Sequence, residues 1–223
     1  MTDIGVVYIA RGADPNWQQR LTRFIQSYMN HPAGAHHCLY VIYKEFATPE
    51  DLEWALKRFH DLPHFQILNY IGYNSFGGGC FEEASRHVRE PLLCTLVSTT
   101  EIMHDQWLLK LYNVFRDRGA GLVGYTGSKE ANLHIRDTAL LIERERYIGI
   151  SKQFDFTKSK GPYLDFEHGP DNLTIQVMRA GLPVFVVEKN RVIAPEEWGH
   201  TTYRGNLHNV LVHDRGARDF QDL

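Results

Sequence analysis

Cysteine is scarce in this chain. Its three residues, Cys38, Cys80 and Cys94, are far apart, odd in number and without a C-x-x-C pair. That excludes a disulfide framework and a cysteine zinc site, and each thiol reads as a free residue in or before an apolar run. Basic excess is missing too: the net charge is -3, which argues against a general nucleic-acid or bilayer binder. No apolar run approaches the length of a membrane span, and the start, MTDIGVVYIARGAD, has no basic region ahead of its apolar residues. These features predict a cytoplasmic setting. Phosphate-loop signatures are also absent. Gly77-Gly78-Gly79 does not fit G-x-x-x-x-G-K-[ST], and no G-x-G-x-x-G opens the first helix, so kinases and nicotinamide enzymes are set aside.

What is present is alternation. Gly5–Ala10 is a short continuous apolar run, as in a strand buried on both faces. Asp14-Pro15 reads as a helix start, with Asp14 as cap and Pro15 in the first turn. Leu21, Phe24, Ile25, Tyr28 and Met29 then recur at helical spacing. A second strand is read over Cys38–Tyr43, and a helix capped by Thr48 follows. A third strand is read over Phe65–Ile71, and a helix over Phe81–Val88 after the glycine break. Leu92–Val97 is a fourth strand, Trp107–Phe115 a helix and Gly121–Tyr125 a fifth strand. This order requires crossover connections and predicts a mostly parallel sheet flanked by helices. In such sheets ligands bind beyond the strand C-termini, here near Arg11 to Asp14, Lys44 to Phe46, Gly72 to Asn74 and Ser98 to Glu101. Further on, His134–Arg144 reads as a strand, Leu173–Ala180 as a helix and Val184–Val187 as a strand.

The chain resembles bacterial GT-A glycosyltransferase-like proteins related to family-two transferases, of the surface-polysaccharide type. The resemblance is carried by VYIARG (7–12), VIYKEF (41–46), CTLVSTTEI (94–102), WLLKLY (107–112) and GLVGYTGS (121–128). It continues through HIR (134–136), FEHG (166–169) with Leu173-Thr174, and NVLV (209–212). It implies one GT-A (nucleotide-diphospho-sugar transferase) domain over 1–223, with a nucleotide-binding half at 1–126 and an acceptor and catalytic half with the tail at 127–223. It also implies a nucleotide-sugar donor, sugar transfer to a hydroxyl on a glycan or lipid-linked glycan, and inversion. No nucleic-acid partner and no transmembrane segment are expected. Many relatives of this type hold a divalent metal on an Asp-x-Asp motif after the fourth strand. That place here reads Val97-Ser98-Thr99-Thr100-Glu101, so no cofactor is expected. Mg²⁺ or Mn²⁺ would have Glu101 as its one carboxylate, a poor set for a hard dication.

Glu167 is the candidate catalytic base, with Asp171 second; either also reads as the cap of the helix that follows. Without a metal, cations must meet the diphosphate. The resemblance puts Arg136 first, with Arg11 and Lys44 at strand ends. The remaining donor-binding candidates are Ala10, Gly12, Asn74, Ser98, Thr99, Thr100, Glu101 and His134. Each cation also fits a surface salt bridge. Trp198 and His200, in a polar tail, are the acceptor candidates, since a sugar stacks on an exposed indole. Adjacent His36 and His37 would point apart in a strand and cannot share an ion. No metal-ligand set is expected. A non-catalytic GT-A-like module that binds nucleotide, glycan or a partner subunit is the alternative. A sugar nucleotidyltransferase would need a glycine-rich basic loop, which Arg11-Gly12-Ala13-Asp14 is not.

Overall fold

A computed structural model describes residues 3–69, 77–129, 131–157, 160–198 and 209–214. The first half alternates as the apolar runs require. Strand β1 (Ile4–Arg11) leads to helix α1 (Trp17–Asn30), β2 (His37–Lys44), α2 (Pro49–Arg58), β3 (Phe65–Asn69), α3 (Gly77–Ser85) and β4 (Leu92–Leu96). A short β5 (Thr100–Ile102), α4 (Trp107–Asp117) and β6 (Leu122–Gly124) follow. The second half holds β7 (Gly127–Ser128), β8 (His134–Ile135), β9 (Ala139–Glu143), α5 (Arg144–Ser151), α6 (Gly161–His168) and α7 (Leu173–Arg179). It closes with β10 (Val184–Val187), β11 (Val192–Ile193) and β12 (Val212–Asp214).

Eight strands form one sheet in the order β11-β10-β6-β9-β4-β1-β2-β3. β1, β2, β3, β4, β6 and β10 run one way; β9 is antiparallel to both neighbours and β11 to β10. Two cores cover the two faces. One gathers Tyr8, Phe24, Phe59, Trp107 and Leu108, the other Phe81, Tyr147, Phe166, Val177 and Trp198. Tyr8 stacks on Phe24 at 3.5 Å between ring centres. Two small antiparallel pairs, β5 with β12 and β7 with β8, sit outside the main sheet.

Several boundaries differ from the sequence reading. Asp14 does not cap α1. Asn16 does, in a left-handed conformation (φ 54) without a side-chain cap bond, and Asp14 is drawn into ion pairs instead. Thr48 caps α2 as expected, its hydroxyl accepting from Asp51 N at 3.2 Å. The glycine triplet begins α3 rather than breaking the chain ahead of it. The single strand expected over 134–144 is interrupted. Residues 136–138 leave the β7–β8 pair before β9 starts, and Arg144 opens α5. None of the described helices is long and apolar enough to cross a membrane. Cys80 and Cys94 are buried and Cys38 half-buried, none of them in a disulfide; burial pushes the Cys94 thiol upward.

Candidate active site

The parallel strands deliver their last residues to one edge of the sheet, where two cavities adjoin. One, of about 270 Å³, lies at the ends of β1, β2 and β4 and is lined by Ile9, Arg11, Lys44, Val97 and Ser98 with Lys160 and Tyr163. The other, of about 410 Å³, is lined by Ser128, His134, Arg136, Glu167 and His168, again with Lys160 and Tyr163. The start of α6 is therefore their shared wall. Four cationic side chains line the pair, and Glu167 is the one carboxylate among the described lining residues.

At the first cavity the charges are held by a local network. Arg11 donates through Nε to Glu45 and through Nη1 to Asp14 at 2.9 Å. Burial works against its charge, but the two carboxylates outweigh burial and hold its pKa above the ordinary value. Lys44 is buried, with Nζ 3.2 Å from Glu45 Oε1 and donating to Cys80 Sγ at 3.4 Å. A buried ammonium needs such a partner. Glu45 reaches both cations from a left-handed backbone (φ 55) that a non-glycine residue seldom adopts. Gly12 lets the end of β1 run against this turn. A Cβ there would stand 2.6 Å from Phe46 Cα and 2.7 Å from Glu45 O. Gly12 thus serves close packing, while its N–H donates to Lys44 O at 2.9 Å.

After β4 the chain turns through Ser98 and Thr99. The Ser98 hydroxyl donates to Asp14 and the Thr99 hydroxyl to Asp214. Asp214 lies on β12, which pairs with β5 so that Thr100 faces Asp214 and Glu101 faces His213. Arg136 spans the gap. Its Nε is 3.5 Å from Glu167 Oε1 and its Nη1 3.8 Å from Asp214 Oδ2. Burial opposes the Arg136 charge, and Glu167, Asp214 and Asp137 together more than offset it. Burial lowers the pKa of His134.

Asp137 sits under this cluster, 2% exposed. Tyr163 OH donates to its Oδ1 at 3.3 Å, and Oδ2 has no hydrogen-bond partner among the described residues. Burial, then the charge of Glu167, raises its pKa well above the carboxylate range against the pull of Arg136. A group raised in the folded state supports the fold below its unfolded pKa and loses that support as pH rises towards its folded one. Asp137→Asn is therefore expected to stabilise the protein at neutral pH. The gain is about 1.4 kcal/mol for each pH unit the folded value lies above the unfolded one, up to the working pH. Urea denaturation at about pH 7 and about pH 4 checks this, since the gain must vanish near the unfolded carboxylate value. A variant no more stable than wild type at the higher pH contradicts the assignment.

The sequence candidates divide accordingly. Arg11, Lys44, Ser98, His134, Arg136 and Glu167 line the cavities, and Thr99 joins them through Asp214. Ala10 is fully buried in the core, and Thr100 is buried on β5. Glu101 lies outside both linings, 4.0 Å from Arg23 Nε. Asp171 pairs with Arg179 on an exposed surface and lines neither cavity. Asn172 caps α7 instead, accepting from Ile175 N at 3.0 Å, so neither Glu167 nor Asp171 is the cap. Glu167 belongs to the last turn of α6. Trp198 is corrected. It is 1% exposed and its indole N–H donates to Ile193 O at 3.2 Å, so it offers no open stacking face. Asn74 and His200 lie outside the described residues. The sequence reading missed Glu45, Lys160, Tyr163 and Asp137 and gave Asp14 the wrong task. Asp-Pro before a helix is a cap signal as much as an ion-pair signal.

Solved structures share this fold. A 4-diphosphocytidyl-2C-methyl-D-erythritol synthase from Anaerococcus prevotii superposes with TM-score 0.55 at 12% identity, over 83% of this chain and 88% of that one. A putative nucleotide-diphospho-sugar transferase from Desulfovibrio desulfuricans gives 0.53 at 11%, over 82% and 79%. The chain has the nucleotide-diphospho-sugar transferase fold. A mannosyltransferase from Pyrobaculum calidifontis in complex with GDP-Man and Mn²⁺ gives 0.57 at 11%, over 82% of this chain and 54% of that one, so the chain spans about half its length. No protein-family model matches the sequence, and no curated protein matches it.

A divalent ion like that Mn²⁺ does not fit the donor set described here. Among the described residues no three His, Cys, Asp or Glu side chains converge. Asp14 and Asp214, the carboxylates nearest the turn after β4, are each engaged by arginine and by a hydroxyl. A hard dication requires negative oxygen ligands, and here guanidinium groups occupy them.

Proposed function

We propose that this protein transfers a sugar, with inversion, from a nucleotide-sugar donor to a hydroxyl of a glycan or lipid-linked glycan in bacterial surface-polysaccharide synthesis. The observation that carries the reading is the pair of adjoining cavities with Arg11, Lys44, Lys160 and Arg136 around them and Glu167 at the far side. The nucleotide end of the donor lies in the half formed by residues 1–126, over the ends of β1, β2 and β4. The diphosphate lies across the shared wall, where cations rather than a metal meet the growing charge of the leaving group. Residues from 127 onward hold the acceptor, whose proton leaves into the cluster around Glu167. The resemblance of the sequence to surface-polysaccharide transferases supports the acceptor class.

Thermal-shift screening against UDP-, GDP-, dTDP- and CMP-sugars tests the donor. A binder at about a hundred times its dissociation constant stabilises the fold by about 2.7 kcal/mol. EDTA is expected to leave that shift within about twofold in affinity, about 0.4 kcal/mol; a large loss assigns a metal to the donor site. Binding with no transfer to any acceptor and no donor hydrolysis favours the non-catalytic module, and no binding removes the reading altogether.

A further inference from the structure

Within this site two groups are placed to accept a proton, and they are not equivalent. Glu167 is paired with Arg136 at 3.5 Å, so its carboxylate is already engaged. The other group is His134. Its Nδ1 lies 2.8 Å from the carbonyl oxygen of Asn132. A carbonyl only accepts, so Nδ1 carries the hydrogen and Nε2 the lone pair. The His134 ring makes no other hydrogen bond among the described residues, and it lines the larger cavity.

We propose that Nε2 of His134 takes the acceptor proton and that Glu167 holds the positive charge this creates. The proposal rests on the transferase reading above and names the atom at which its proton is lost. As the acceptor O–H bond breaks, the proton passes to Nε2. The oxygen pair forms the bond to the anomeric carbon, and the carbon–oxygen bond to the diphosphate breaks with its pair on the leaving group. No further reactant is needed. The resulting imidazolium then returns its proton to solvent.

The surroundings suit this role. From α6, Glu167 favours the charged imidazole and His168 opposes it, its ring centre 5.8 Å away; Arg136, just past β8, opposes it too. Lys160 and Tyr163 of α6 and Ser128 of β7 complete the lining. Burial is the largest influence and holds the imidazole pKa below its ordinary value. The carboxylate of Glu167 then matters most when the imidazole becomes charged, which is when the barrier is crossed.

The test uses the full chain and the nucleotide-sugar that gives the largest thermal shift. In wild type, kcat/KM is expected to fall towards acid with an inflection on the acid side of about 6.5, the ordinary imidazole value. The histidine Cε1–H resonance of His134, followed by NMR, must titrate at that same inflection. His134→Gln is expected to keep donor affinity within about twofold, lose about 10²- to 10⁴-fold in kcat and lose the acid limb. His134→Ala should regain part of its rate with added imidazole. Turnover by His134→Gln within about threefold of wild type with the acid limb intact overturns the proposal. So does a His134 resonance that titrates elsewhere, and that reading needs no variant that folds. If wild type transfers sugar and these results fail, only the assignment to His134 falls. If wild type transfers from no donor, the transferase reading falls and takes this one with it.

Discussion

Glu167→Gln is expected to cut sugar transfer by about 10²- to 10⁴-fold while leaving donor affinity within about twofold. The substitution keeps the shape of the side chain and removes its charge. Two neighbours lose by it. Arg136 loses one carboxylate partner and retains Asp214 at 3.8 Å, and the His134 imidazole loses the carboxylate that favours its protonated form. Donor binding survives because Arg11 and Lys44 are tied to Asp14 and Glu45 at the other cavity, outside the reach of the change. Steady-state rates with saturating donor, set beside a thermal shift with donor alone, separate the two effects. A variant that loses binding and turnover in parallel shows Glu167 to be a structural partner of Arg136 and nothing more. One that keeps its full rate places the chemistry elsewhere.

Trp198→Ala is expected to destabilise the fold by about 3–5 kcal/mol, a large share of the roughly 5–15 kcal/mol that holds a domain together. The indole is nearly fully buried and packs in the core that contains Ile193, Val186 and Phe166. Its N–H is bonded to Ile193 O. Gly127 lies so close that a Cβ there would stand 2.9 Å from Trp198 Cδ2, so the indole and the start of β7 are fitted to each other. A cavity of that size cannot collapse cheaply. Urea denaturation measures the loss. A variant of unchanged midpoint but raised acceptor KM restores Trp198 as a sugar platform and overturns its place in the core.

How much of this was legible without coordinates follows from the kind of signal each element leaves. β1, β2 and β4 are largely apolar between their ends because both faces are covered, and such runs stand out. α2 declares its start through Thr48-Pro49. β9 was visible as a strand, but its direction was not, since Ala139 to Ile142 are buried whichever way they run. β5, β7, β8 and β12 are two or three residues long and carry no period at all. α6 has weak sidedness, and with it Lys160 and Tyr163 went unread. Strand ends pointed to Arg11 and Lys44, and the family resemblance pointed to Arg136, His134 and Glu167; all five line the two cavities. The pairings were not foretold. That Asp14 answers Arg11 and Ser98, and Asp214 answers Thr99 and Arg136, depends on residues some 84 and 115 positions apart meeting in space. Trp198 failed for a related reason: polar neighbours in sequence do not say which face of an indole the fold will cover.

The placement of β12 ties the larger cavity to a small appendage of the sheet. Every strand of the main sheet lies between Ile4 and Ile193, whereas β12 joins outside it, through β5. Asp214, on β12, is the carboxylate that meets both Thr99 and Arg136. A disturbance of that peripheral strand pair is thus felt at the wall of the cavity, although neither strand belongs to the main sheet.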